Sequence, residues 1–279
     1  MCLNARMARR VRVAPLFSLS FYLGALIWGL LVTMPVSAAL ILATVPNGSA
    51  QHLRQLYSPL ERYLTMALHE KVRFRDPANL YVLGLHLRQH KDTIVFAGPH
   101  VVAWAMKNAR YVPVLAGTGV LHLVVVSRKP GVTLSSLRGA PVCALAPPNL
   151  ATMVLLNKYA GHVATPYLLI TKSLRAEVAA VLKGTCEAAT VPLRMARTAL
   201  NSGQVHEVTD LGVFPDMAFA AYGSPRLLMR IRLAFRTGEA QQALAPLAKA
   251  YRIPGWQQPK PAMYRGLAHL LAETPGFSH

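Results

Sequence analysis

Residues 93–116, TIVFAGPHVVAWAMKNARYVPVLA, hold the pattern on which the fold turns. Thr93 to Ala97 is a short apolar run, Gly98-Pro99-His100 breaks it, Val101 to Lys107 reads as a helix, and Val112 to Ala116 is a second apolar run. Strand, helix and strand with short links form a crossover unit. Parallel neighbours need such a connection, and its helix must cover a face of the sheet.

The same rhythm extends toward the N-terminus. Leu40 to Val45 reads as a buried strand that ends in the turn Pro46-Asn47-Gly48, where a ligand loop can start. In Ser58-Pro59-Leu60-Glu61 the serine can cap a helix, proline suits its first position, and glutamate can reach back. Leu60, Tyr63, Leu64, Ala67 and Leu68 then repeat at helical spacing, and the helix should end near His69. Val72 and Phe74 alternate with arginines as in a strand with one wet face, and Pro77 to Gln89 regains helical spacing through Leu80, Leu83 and Leu87.

The run Leu121 to Val126 can carry the chain into a second unit. There Thr133 to Gly139 reads as a helical turn, Val142 to Ala146 as a strand, and Asn149 as the cap of a helix reaching about Tyr159. Pro166 to Ile170 and Thr185 to Val191 are strands, while Leu174 to Leu182 and Pro192 to Leu200 are helices. Met217 to Tyr222 is a further strand, and the rest is chiefly helical with joints near Pro254 and Pro259. The expected fold class is α/β with two lobes, each a mostly parallel sheet flanked by helices. Lobe one takes residues 39–122 and 213–279, and lobe two takes 123–212.

Residues 1–38 read as a leader. Arg6, Arg9, Arg10 and Arg12 precede an uncharged apolar stretch from Leu16 to Val36, and the small residues Ser37 and Ala38 follow. That order is a secretory signal with cleavage expected after Ala38, an uncleaved inner-membrane anchor being the alternative. Either way the remainder faces the periplasm.

The formal charge is +19, and the four leader arginines leave +15 on the remainder. A cationic chain favours anionic partners. Its cations are scattered, with no basic run interleaved with aromatics, so nucleic acid is not an expected partner. Cys143 and Cys186 are the two cysteines after the leader, both read on core strands, and an oxidising compartment favours one disulfide between them.

Reactive constellations are scarce. His86 and His90 stand four apart on one helix, but no third ligand is evident, so no metal is expected. Gly117-Thr118-Gly119 lacks a third glycine and leads into a strand, which makes it a turn and not a nucleotide loop. No serine sits in a glycine elbow, and nothing places two of the eleven carboxylates across one cleft. Neither an enzyme nor a cofactor is expected.

Several segments together resemble the substrate-binding proteins of phosphate-, phosphite- and phosphonate-type ABC transporters, which have the type II periplasmic binding fold. They are Tyr57 to Leu64, Ile94 to Pro99, Thr133 to Gly139, Ala179 to Ala189 and Phe214 to Ala220. The resemblance implies a monomeric periplasmic protein that captures a small, anionic ligand between its lobes and presents it to a membrane ABC permease. A ligand-sensing or accessory module for a membrane kinase or redox partner is the alternative. It also implies an anion loop after a lobe-two strand, at Ala146 to Thr152 here. Pro147 and Pro148 remove amide donors, and Thr152 keeps the one hydroxyl. The amides of Leu150, Ala151 and Thr152 can receive an anion at a helix N-terminus that Asn149 caps. Across the cleft the candidates are Gly98, Pro99 and His100, joined by Asn47 and His122.

Overall fold

In the computed structural model, residues 39–46 and 48–278 are described. The leader with its cleavage point, and Asn47, lie outside them. The first sheet contains β1 (Leu40–Thr44), β2 (Val72–Arg75), β3 (Ile94–Ala97), β4 (Val112–Gly117), β10 (Ala218–Ala221) and β11 (Trp256–Gln257), in the order β11-β4-β10-β3-β1-β2. The second contains β5 (Val120–Ser127), β6 (Pro141–Ala144), β7 (Tyr167–Ile170), β8 (Ala188–Pro192) and β9 (His206–Pro215), in the order β7-β6-β8-β5-β9.

The pairings give each sheet one dominant direction. β1 is parallel to β2 and β3, and β10 runs antiparallel between β3 and β4, so β1 to β4 all point one way. In the second sheet β6 is parallel to β7 and β8, while β5 runs against β8 and β9.

Alternation along the strands builds two cores per lobe, because successive side chains leave opposite faces of a sheet. Ile94 and Phe96 join Leu42 and Phe219 on one face of the first sheet, while Val95 and Ala97 join Ala218 and Ala220 on the other. The first face is covered by α1 (Ala50–Leu68), α7 (Pro225–Ala234) and α8 (Gly238–Tyr251). The second is covered by α2 (Leu80–Arg88), α3 (Pro99–Ala109) and the C-terminal 3-10 turns Pro261–Tyr264 and Ala268–Leu271. The small residues of that face leave room for Trp104, whose indole donates to the Phe277 carbonyl at 2.9 Å.

In the second sheet Leu123, Val125 and Val142 face α4 (Leu150–Asn157), whereas Val124, Val126 and Cys143 face α5 (Leu174–Leu182) and α6 (Leu193–Asn201). Cys143 is bonded to Cys186 with Cα atoms 5.7 Å apart. Cys186 lies two residues before β8, not on a strand as the sequence suggested.

Two other expectations are corrected. Helix α1 begins at Ala50 with Ser49 as its cap, so Pro59 lies inside it and Ser58 is no cap. Proline removes the bond to the Gln55 carbonyl, and the Ser58 hydroxyl donates there instead at 3.4 Å. The ten-residue strand β9 was not anticipated. Glu207, Asp210 and Gly212 interrupt its apolar pattern, as suits a strand at a sheet edge.

Candidate ligand-binding site

Two helices begin where strands end. α3 follows β3 directly through Gly98, with Pro99 in its first turn, and α4 follows β6 through the Leu145 to Asn149 loop. In sheets of this kind, loops and helix N-termini beyond the carboxyl ends of strands are the usual ligand region. The structure brings these two helix starts, one from each sheet, into contact. Nε2 of His100 lies 2.7 Å from the Pro148 carbonyl oxygen. A carbonyl can only accept, so Nε2 carries the proton and Nδ1 of the neutral ring is left as an acceptor. Nδ1 is buried without a partner, and burial lowers the His100 pKa to about 4.

The remaining candidates divide. Gly98 packs against the His100 ring, and Pro99 is buried. The Val101 and Val102 amides both return to the Gly98 carbonyl, at 3.1 Å each. Asn149 caps its own helix, its Oδ1 accepting from the Ala151 amide at 3.0 Å, while its carbonyl accepts from Met153. Helix geometry leaves the first-turn amides of Leu150 and Thr152 as the donors still to be matched. The Thr152 hydroxyl is directed inward and donates to the Leu145 carbonyl at 2.7 Å. His122 is engaged elsewhere: its Nε2 lies 2.8 Å from Asp210 Oδ2 across the β5–β9 pair, and this hydrogen bond holds the Asp210 carboxyl below its usual pKa.

Sequence reasoning missed the residue at the crossing between the sheets. The chain passes from the first to the second at Thr118-Gly119 and returns at Asp216-Met217. Asp216 is buried there; its Oδ1 accepts from the Met217 amide at 2.8 Å, and its carboxylate lies against Gly117 and Gly119 so closely that a Cβ on Gly119 would collide with it. Burial raises its pKa. Gly117 ends β4 and Thr118-Gly119 forms the link to β5, so the segment is only in part the turn expected, and its glycines make room for a carboxylate that nothing in the local sequence announces.

A second missed contributor is the C-terminal stretch. Leu270 and Leu267 pack with Leu150, Val154 and Leu155 of the second sheet's core, while Leu271 and Tyr264 pack in the first sheet's core. That stretch therefore spans both lobes beside the candidate site.

His86 and His90 do not converge. Nδ1 of His86 is 3.7 Å from Asp92, which also pairs with Arg75 at 2.9 Å, whereas His90 stacks on Tyr222 at 3.6 Å. Among the described residues no three His, Cys, Asp or Glu side chains form a metal-holding group.

Comparison with known proteins identifies the family and the fold. The model of the periplasmic substrate-binding proteins of phosphonate ABC transporters matches residues 42–264. XAC2383 from Xanthomonas citri bound to ATP superposes with a TM-score of 0.65 at 16% identity, covering 86% of this chain and 97% of its own. PhnD1 from Prochlorococcus marinus in complex with methylphosphonate gives 0.58 at 12% identity, covering 84% and 97%. A binding protein component of an ABC phosphonate transporter from Pseudomonas aeruginosa gives 0.60 at 12% identity, covering 83% and 85%. At these identities the structures share the fold. No curated protein matches the chain.

Proposed function

The chain belongs to the family of periplasmic substrate-binding proteins of phosphonate ABC transporters, and on that premise we propose that it closes two lobes around a small, phosphonate- or phosphate-like anion. The family is one of transport proteins that work with a membrane ABC permease, not of enzymes. The observation that carries the reading is the meeting of the α3 and α4 starts at His100 and Pro148. Two helix starts that meet combine unpaired amides with the positive ends of two dipoles, and such groups stabilise negative charge. The donors we assign are the amides of His100, Leu150 and Thr152. Gly98 supplies close backbone approach, Asn47 is a further contact that we propose from its place in the sequence after β1, and His122, which pairs with Asp210, stands outside the set.

In this reading lobe one comprises residues 39–122 and 213–279 and lobe two residues 123–212, bounds that fall within a few residues of the crossings between the two sheets. The crossings at Thr118-Gly119 and Asp216 act as the hinge. Ligand that contacts both lobes favours the closed form by its differential affinity. The protein works as a monomer in the periplasm, either released by cleavage after Ala38 or held by its leader, and without nucleic acid.

A thermal-shift panel of methylphosphonate, phosphite, phosphate, sulfate and small amines tests this. A ligand present at 100 times its Kd should add about 2.7 kcal/mol of stability. Failure of every oxyanion to raise the melting point would end the anion assignment.

One observation favours a second role. The Asn149 and Thr152 side chains and the His100 imidazole are all engaged within the protein. Polar groups already engaged, one of them in a bond between the two helix starts, suit a sensory or accessory module that displays its form to a membrane kinase or redox partner. In-cell cross-linking from the surface around α4 discriminates, since recovery of a permease supports transport and recovery of a kinase supports sensing.

A further inference from the structure

An open pocket of about 310 Å³ lies between α3 and the C-terminal stretch and shares no residue with the candidates between the lobes. Ala103, Met106 and Lys107 enter it from one stripe of α3, at the spacing that puts three side chains on one helical face. Tyr264, Arg265 and Ala268 enter from the opposite side. The pocket therefore has an apolar lining and two cations. Lys107 and Arg265 are exposed, and among the described residues neither takes part in an ion pair. The Tyr264 ring closes the inner wall, its hydroxyl buried without a partner.

We propose that this pocket binds an amphipathic monoanion, a carboxylate carrying a short apolar tail. The planar guanidinium of Arg265 matches a carboxylate with two parallel donors, and Lys107 adds a point charge beside it. Met106, Ala103 and Ala268 receive the tail, with the methionine thioether adapting to its shape. The volume is near the lower end for small-molecule sites, which restricts the guest to a short chain or a single ring. A bare inorganic anion would leave the apolar wall unmatched, and an uncharged chain would leave both cations unmatched.

Titration calorimetry of the full chain with octanoate tests the proposal, with octan-1-ol as the uncharged control and inorganic phosphate as a competitor. Octanoate should bind more tightly than octan-1-ol, and phosphate, which we assign to the space between the lobes, should not displace it. The double variant K107Q/R265Q, changed only at exposed positions, should weaken octanoate by about tenfold or more while leaving the melting point of the free protein in place. A103W should fill the pocket and abolish binding; should that variant fail to fold, the double variant still decides. Equal affinity for octanoate and octan-1-ol, displacement of octanoate by phosphate, or unchanged binding in K107Q/R265Q would overturn the assignment. Displacement of octanoate by methylphosphonate would place it between the lobes and overturn it as well.

Discussion

The His100 imidazole and the Pro148 carbonyl, from helix starts on two different sheets, meet at 2.7 Å. This bond joins the two lobes at the place we propose for the ligand. His100→Ala leaves that carbonyl without its donor. The variant should lose about 1–3 kcal/mol of stability, and its free form should scatter X-rays as a larger particle than the native protein. An unchanged radius of gyration would show that the bond does not hold the lobes together.

The same histidine predicts a pH dependence. Its folded pKa of about 4 is below the ordinary 6.5 because burial disfavours the charged ring. The unfolded chain therefore binds the proton first as acid is added. The contribution is whole above pH 6.5 and declines as pH falls toward 4, by on the order of 3 kcal/mol. Denaturant midpoints of native protein and His100→Gln, measured from pH 7 to pH 4, should diverge in slope over that window, with the variant flatter.

Glu177 gives the opposite sign. Its carboxyl is fully buried in the first turn of α5, Oε1 lies 3.4 Å from the Thr171 hydroxyl and Oε2 has no partner. Burial raises its pKa to about 8. The folded state then holds its proton longer than the unfolded state does, so stability falls as pH rises from 4.5 through 8. Glu177→Gln keeps the shape without the ionisation and should be more stable than the native protein at pH 9 by at least about 2 kcal/mol. Parallel unfolding curves at pH 5 and pH 9 check this.

The Cys143–Cys186 bond closes a segment of 43 residues within lobe two. Loop-closure entropy for that length corresponds to about 4 kcal/mol. Reductant should lower the melting point of the native protein and leave the double variant C143S/C186S unaffected. Intact mass of the chain from Ala39 with alkylation should reveal two thiols only after reduction; alkylation of that chain before reduction would contradict the bond.

Most of the architecture was legible because it follows from local pattern. The segment 93–116 showed strand, helix and strand, and the structure has β3, α3 and β4 there. Leu174 to Leu182 was read to the residue, since Ser173 and Gly184 mark its ends. Pro59 misled because its usual place is a first turn, and the preceding Ser58 hydroxyl that lets it sit deeper is a contact, not a pattern. β9 was missed because an edge strand exposed to water need not alternate. In the site, helix starts at Gly98 and Asn149 were visible, whereas the directions of Thr152 and His122 were not.

The sequence alone determined the α/β crossover units, the two cysteines available to pair and the positions of the helix starts, because periodicity, caps and breakers act within a few residues of themselves. Only the tertiary structure decided that His100 meets Pro148, that Asp216 fills the space left by Gly117 and Gly119, and that the C-terminal leucines join both cores. Those contacts join residues tens to more than a hundred positions apart. Their geometry depends on the packing of whole sheets, which no local window contains.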